Sequence, residues 1–214
     1  MEHLNKLIEC MIALHDHCIV RWKHLASQAM GCDVNCQHYA IDATYIECLA
    51  LIEKNHFFNY QLWTAEDRAR RDDKGYEFVY TAKREIDAYN QQRNNLMEAI
   101  DIWLTQKLAV STDPHCPVHS ETPGLIIDRL SILGLKIYHM QYQAQRHDVE
   151  ATHTQRCVNK LIILNAQRDQ LQRCLYELFN AVYTKTRTFS VYYQCKMYND
   201  PHLNPELYQL GGFD

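Results

Sequence analysis

Asn90-Gln91-Gln92-Arg93 returns 75 residues later as Asn165-Ala166-Gln167-Arg168, an N-x-Q-R in each case. The same shift lays Glu53-Lys54 on Asp128-Arg129, Trp63 on Tyr138 and Arg71 on Arg146, with Leu96 and Ile100 on Leu171 and Leu175. A self-similarity of that period restricts the fold before any composition is counted, because each copy must be one supersecondary unit. Within each copy the apolar residues keep a helical period, so each reads as a helical hairpin. Repeat 1 covers about 45–108 and repeat 2 about 122–187. Two such hairpins pack most simply as a bundle with approximate two-fold symmetry.

The fold class expected is all-α, an up-down bundle of about five long helices in a single domain, 1–214. Only six Gly and five Pro interrupt the chain, which favours long helices and few loops. The first helix is expected from about Glu2 to Ala29, ending near Gly31, and the second over about 36–71. The polar break RRDDKGYE then opens a third helix, to about Leu108. The stretch STDPHCPVHSE reads as the longest loop of the body. Thr122-Pro123 follows as N-cap and first helical position, since proline loses nothing where the amide has no partner. That starts a fourth helix, to about Arg146, and a fifth runs to about Arg187. The tail 188–214, with four tyrosines and the turn formers Asn-Asp-Pro and Asn-Pro, is expected to lie extended over the bundle with aromatic side chains as anchors.

Charge and apolar runs exclude several classes of function. The net charge is −4 with both signs interspersed, so nothing favours nucleic acid or an anionic membrane. No stretch approaches the ~18 apolar residues of a membrane span. The N-terminal apolar run is cut by Glu9, His15, Asp16 and His17, so no signal peptide is expected. Nine scattered cysteines, an odd number, fit a reducing cytoplasm.

At about 100° per residue, Ile86, Tyr89, Leu96, Met97, Ile100, Trp103 and Leu104 form one arc of the third helix, and Arg93 falls in its middle. Asp87, Asn90, Asn94, Glu98 and Asp101 run along the edge of that arc, a stripe that also reads as a solvated face. Arg168 shares its own face with Leu161, Leu164, Leu171, Leu175 and Leu178. A buried guanidinium is costly unless paired, so carboxylates should await both arginines, which are expected to point into one cavity. The second helix carries an inward stripe that begins apolar, at Tyr45, Leu49 and Ile52. It then turns polar with His56, Asn59, Trp63, Glu66, Asp67 and Arg70. The fourth helix is apolar almost all round from Leu125 to Met140, the mark of a buried helix. Set into it are Asp128 and His139 on one line, and Arg129 and Lys136 on another.

Familiar motifs are mostly missing. Glu150-Ala-Thr-His153 is the one convincing Glu-x-x-His, too few for a di-metal bundle. Cys32, Cys36 and His38, with His115, Cys116 and His119, do not match standard zinc spacings, so no metal ligands are assigned. No phosphate-cradling glycine loop, nucleophile elbow or Cys-x-x-Cys occurs.

LWTAEDRAR, REIDAYNQQRNNLMEAID, SETPGLIIDRLSILGLKIYHM and CKMYNDPHLNPELY, in that order, resemble the bacterial domain-of-unknown-function family numbered 4254, over about residues 50–208. The resemblance implies a helical cytoplasmic protein without an assigned activity, and a place near glycosyltransferases of surface polysaccharide synthesis. Its pattern falls on Trp63, Glu66, Asp67 and Arg70; on Asp87, Asn90, Arg93, Asn94 and Asp101; and on Glu121, Asp128, Arg129, Lys136 and His139. Leu125 stands where the family carries a small residue such as Ser.

Three functional readings result. In the leading one an inner polar cavity binds a small anionic, hydroxyl-rich ligand, a phosphorylated sugar or nucleotide sugar. Arg93, Arg168, Arg129 and Lys136 would meet its charge, since Arg forks suit phosphate. Asn90, Asn94, Asp128 and His139 would read hydroxyls and Trp63 would stack, with Arg70, Asp87, Asp101 and Glu121 also lining the site. His139 with Asp128, or Glu66 with Asp67, would be the acid-base pair of any catalysis. The second reading is a nucleotide pyrophosphohydrolase holding Mg²⁺ on Glu66, Asp67, Glu98 and Asp101; outside it the sequence assigns no cofactor. The third is a non-enzymatic, dimeric partner of a glycosyltransferase.

Overall fold

The computed structural model describes residues 2–24, 41–195, 197 and 200–208. These residues form five long helices: α1 (Glu2–His24), α2 (Ile46–Ala69), α3 (Tyr76–Leu108), α4 (Pro123–Ala144) and α5 (Ala151–Tyr183). A short α6 (Pro205–Tyr208) lies in the tail. The architecture is the all-α bundle expected, and no helix of the described residues is long and apolar enough to cross a membrane.

Helices α2 and α3 pair closely, as do α4 and α5, and the boundaries of the two hairpins keep the 75-residue interval. Ala69 and Ala144 end the first helix of each, and Tyr76 and Ala151 begin the second. Leu108 and Tyr183 close helices of 33 residues each. Even the turns match: Arg71 forks onto Asp73 at 2.6 and 2.7 Å, and Arg146 onto Asp148 at 2.8 and 3.0 Å. Where α2 crosses α4, His56 meets Ser131, its own counterpart 75 residues on. Contact between equivalent positions is what a two-fold axis at that crossing requires.

α4 packs against all four other long helices, which explains its near-continuous apolar sequence. α1 lies against α2, α4 and α5. Its Leu4, Leu7, Met11, Leu14, Cys18 and Trp22 are buried at helical spacing. They join Leu49 and Ile52, Ile100 and Leu104, Ile126 and Leu130, and Leu175 and Phe179 in one core. α3 and α5 share no comparable interface, so one face of α4 stays uncovered between them.

Local chemistry moves some boundaries. α2 starts later than about 36, because Asp42 accepts from the Thr44 amide at 2.8 Å and caps a 3-10 turn, Ala43–Tyr45. The expected end of the first helix and the cysteines at 32 and 36 lie outside the described residues. Lys185, at φ 59°, turns the chain so that Thr186 and Arg187 bond back to the Ala181 carbonyl, ending α5 before Arg187. β1 (Val118–His119) and β2 (Thr188–Phe189) then form a short parallel pair within the expected loop and tail. The tail is anchored by buried Phe189 and by the Gln194 amide, which donates to Glu98 at 2.9 Å. Tyr192 and Tyr193 are exposed, so they do not anchor it. Cys48, Cys116, Cys157, Cys174 and Cys195 are free thiols, and Cys18 is disulfide-bonded.

Thr122 caps α4 as expected, accepting from Leu125 at 3.2 Å. Gly124 permits the close approach of α3 there: a Cβ would sit 2.6 Å from the Met97 carbonyl oxygen and 2.9 Å from the Asp101 carboxyl. Gly124→Ala should therefore push α3 from α4 and cost about 2 kcal/mol in urea unfolding, in the range of core overpacking. A neutral effect would show the contact to be loose.

Candidate functional site

Arg93 does not reach for a ligand. Its guanidinium grips Asp128 of α4 in a bidentate pair, with Nε 2.8 Å from Oδ1 and Nη2 on Oδ2. Asp128 is 2 % exposed. Its Oδ1 also accepts from Asn55 at 3.1 Å and from Asn59 at 2.9 Å. Asn59 donates on to Ser131 Oγ at 2.9 Å. His56 Nε2 lies 3.0 Å from the His15 carbonyl oxygen, which can only accept, so Nε2 carries the proton. Nδ1 is then the acceptor for the Ser131 hydroxyl, 2.7 Å away. The polar centre thus has the donors and acceptors that a buried charge requires.

Arg168 pairs with Asp16 of α1 at 3.0 Å. The two arginines therefore occupy separate ion pairs on different helices, and the shared cavity expected of them is not formed. Asp128, saturated by its four contacts, is likewise no acid-base partner for His139, which sits three turns further along α4.

The uncovered face of α4 lines a groove instead. Arg129, Ile132, Lys136 and His139, spaced three or four residues apart, form its floor. Two cavities of 540 and 630 Å³ open over that face, and Lys136 and Gln167 line both. A third, of 420 Å³, adjoins the first through Trp63 and Asp67. Into it face Glu66, Arg70, Asn90 and the outer part of Arg93.

The groove gathers ten expected site residues: Trp63, Glu66, Asp67, Arg70, Asn90, Arg93, Glu121, Arg129, Lys136 and His139. Several are already engaged. Trp63 stacks on His139, ring centroids 4.4 Å apart and planes 4° from parallel. Glu66 pairs with Arg70 at 3.1 Å and Glu121 with Arg129 at 2.6 Å. Among the described residues Lys136 enters no ion pair. The same holds for Lys160, which faces the groove from α5. Burial holds the His139 imidazole below its ordinary range, although nearby Asp67 acts to raise it.

Other expected residues lie elsewhere. Asp87 pairs with Lys83 at 2.5 Å on the surface of α3. Asn94 lines none of the three cavities. Asp101 is buried beneath the first turn of α4, accepting from the Gly124 amide at 2.6 Å. With Glu98 of α3 holding the tail through the Gln194 amide and Asp101 below α4, the four carboxylates proposed for Mg²⁺ do not converge. No group of three His, Cys, Asp or Glu forms a cation site among the described residues. Asn55, Ser131 and Asp16 were not anticipated, nor were Gln143, Lys160 and Gln170. Asn55 and Ser131 stand three or four residues from Asn59 and Asp128, a spacing that would have found them.

The family model described as Protein of unknown function (DUF4254) matches residues 49–191, and the chain belongs to that family. The match covers most of both hairpins and leaves out α1. No curated protein and no solved structure matches the chain.

The buried network has a pH signature. Burial holds His15 well below its ordinary value, with His56 adding to the effect, and His56 falls to about 3. The fold favours their neutral forms, so their contribution to stability is complete above about pH 6.5 and is lost as pH falls through the folded values. Burial pushes Asp101 up to about 6; its contribution is complete below about pH 4 and is lost as pH rises through that value. The two imidazoles outweigh the one carboxyl, so stability should fall on acidification from pH 6.5 to 4. Among the described residues, neither His15 ring nitrogen has a hydrogen-bond partner. His15→Leu should therefore flatten that fall and raise stability at pH 7 by about 1 kcal/mol. Lost stability with an unchanged pH profile would contradict this.

Proposed function

We propose that the groove along α4 binds a small anionic, hydroxyl-rich ligand, a phosphorylated sugar or nucleotide sugar. The observation that carries this reading is Lys136, a cation without a carboxylate partner where two cavities meet. Lys160 adds a second positive charge on the facing wall. The expected roles of Arg93 and Arg168 pass to these lysines, because both arginines are already paired. Gln143, Gln167 and Gln170 offer amides for hydroxyls, and Asp67 offers a carboxylate. A cytoplasmic role in surface polysaccharide synthesis, beside a glycosyltransferase, is the setting that the family resemblance supports.

If chemistry follows binding, His139 is the group placed to move a proton. Burial favours its neutral form, and its ring lines the first cavity. Asp67, and not Asp128, is the carboxylate that faces it across that cavity.

Isothermal titration with inorganic pyrophosphate and glucose 1-phosphate tests the reading. Removing a charge-assisted contact costs about 1.5 kcal/mol or more, roughly ten-fold in affinity. Lys136→Ala should weaken both probes by at least that factor, and raising the salt should weaken binding further. Binding of neither probe, or equal binding to the variant, would contradict it.

A further inference from the structure

The groove is divided into zones, and the zones narrow the ligand beyond a generic anion; this inference rests on the reading just proposed. From Arg129 to His139 the floor of α4 spans ten residues, or about 15 Å of helix rise. Lys136 and Gln167 stand where the two larger cavities meet, so a bound anion would have space on both sides. A sugar phosphate, one ring with one anion, occupies only one flank. A ligand with a ring at each end of a diphosphate occupies both.

The two flanks differ in chemistry. Around the first stand the Trp63–His139 stack and the apolar side chains Met140, Ile163 and Leu164. Ile163 is largely exposed there, an apolar surface with no partner in the fold. Such walls suit a flat, weakly polar ring, because aromatic stacking and apolar burial need no specific hydrogen bonds. Around the second flank stand His119, Glu121, Arg129 and Gln170. The Glu121–Arg129 pair at 2.6 Å holds acceptor and donor side by side, the arrangement that reads adjacent hydroxyls.

We infer that the groove takes a nucleoside diphosphate sugar. Its base lies against the Trp63–His139 end, its diphosphate over Lys136 and Gln167, and its sugar toward Glu121 and Arg129. The base supplies apolar contact area, the lysine meets the diphosphate charge, and the ion pair orients the sugar. Each zone then makes a separable contribution to affinity.

Isothermal titration of the full chain with uridine diphosphate glucose, uridine diphosphate and glucose 1-phosphate separates these contributions, with guanosine diphosphate mannose as a second base. A nucleotide sugar should bind at least ten-fold more tightly than glucose 1-phosphate. Ile163→Asn, which removes the apolar surface without adding charge beside Lys160, should weaken the nucleotide sugar and the free diphosphate about ten-fold and leave glucose 1-phosphate unchanged. Arg129→Ala should weaken the nucleotide sugar and leave the free diphosphate unchanged. Both side chains are exposed, so circular dichroism should show folded variants. Equal affinity for nucleotide sugar and glucose 1-phosphate would overturn the inference and leave the anion groove standing, as would indifference to Ile163→Asn. Binding of none of the probes would overturn both.

Discussion

The buried carboxylate of Asp128 is the constraint around which the molecule is arranged. It is 2 % exposed and accepts four hydrogen bonds from α2 and α3. An ionised group in that position is tolerated only if the donors arrive together, so α2, α3 and α4 must meet in one register. With Asp128 and Ser131 turned toward those donors, the adjacent face of α4 is left to Arg129, Ile132, Lys136 and His139. The groove is thus a consequence of how its floor helix is locked.

Departure from exact symmetry shapes the groove. The 75-residue shift places Arg93 on Arg168 and Glu53 on Asp128, so a perfect duplicate would pair Arg168 with Glu53. α1 lies against α2, α4 and α5 instead, and its Asp16 takes Arg168. The first helix therefore fills one flank of the bundle with apolar core, while the flank between α3 and α5 stays open. In the open flank the second N-x-Q-R contributes Gln167 to the groove, whereas the first contributes Asn90 and Arg93.

The sequence made the elements legible because their signals are local. Helical period, the Gly75 break and the Thr122-Pro123 cap each act within a few residues, and α3 and α4 begin where these place them. The inward stripe of α2 was legible for the same reason: His56 and Asn59 are buried, and Trp63, Glu66, Asp67 and Arg70 line the groove. Pairing was not legible. A helical wheel shows that Arg93 faces inward but not whether Asp128 or a ligand waits there, since that depends on how helices 35 residues apart in sequence cross. Lys160 and Gln170 reach the groove only because α5 is covered along one side, which no local signal shows. Asp101 looked like part of a polar site and is the buried acceptor of the Gly124 amide instead.

Arg93 serves as a strut for Asp128. A double-mutant cycle measures this directly, with Arg93→Met, Asp128→Leu and the double variant followed by urea unfolding. Each single change leaves a polar or charged partner unmatched, whereas the double change removes both. The account predicts a coupling of about 2 kcal/mol or more, with the double variant far more stable than the sum of the singles implies. Additive single effects would contradict it, because the two side chains would then be meeting their partners elsewhere.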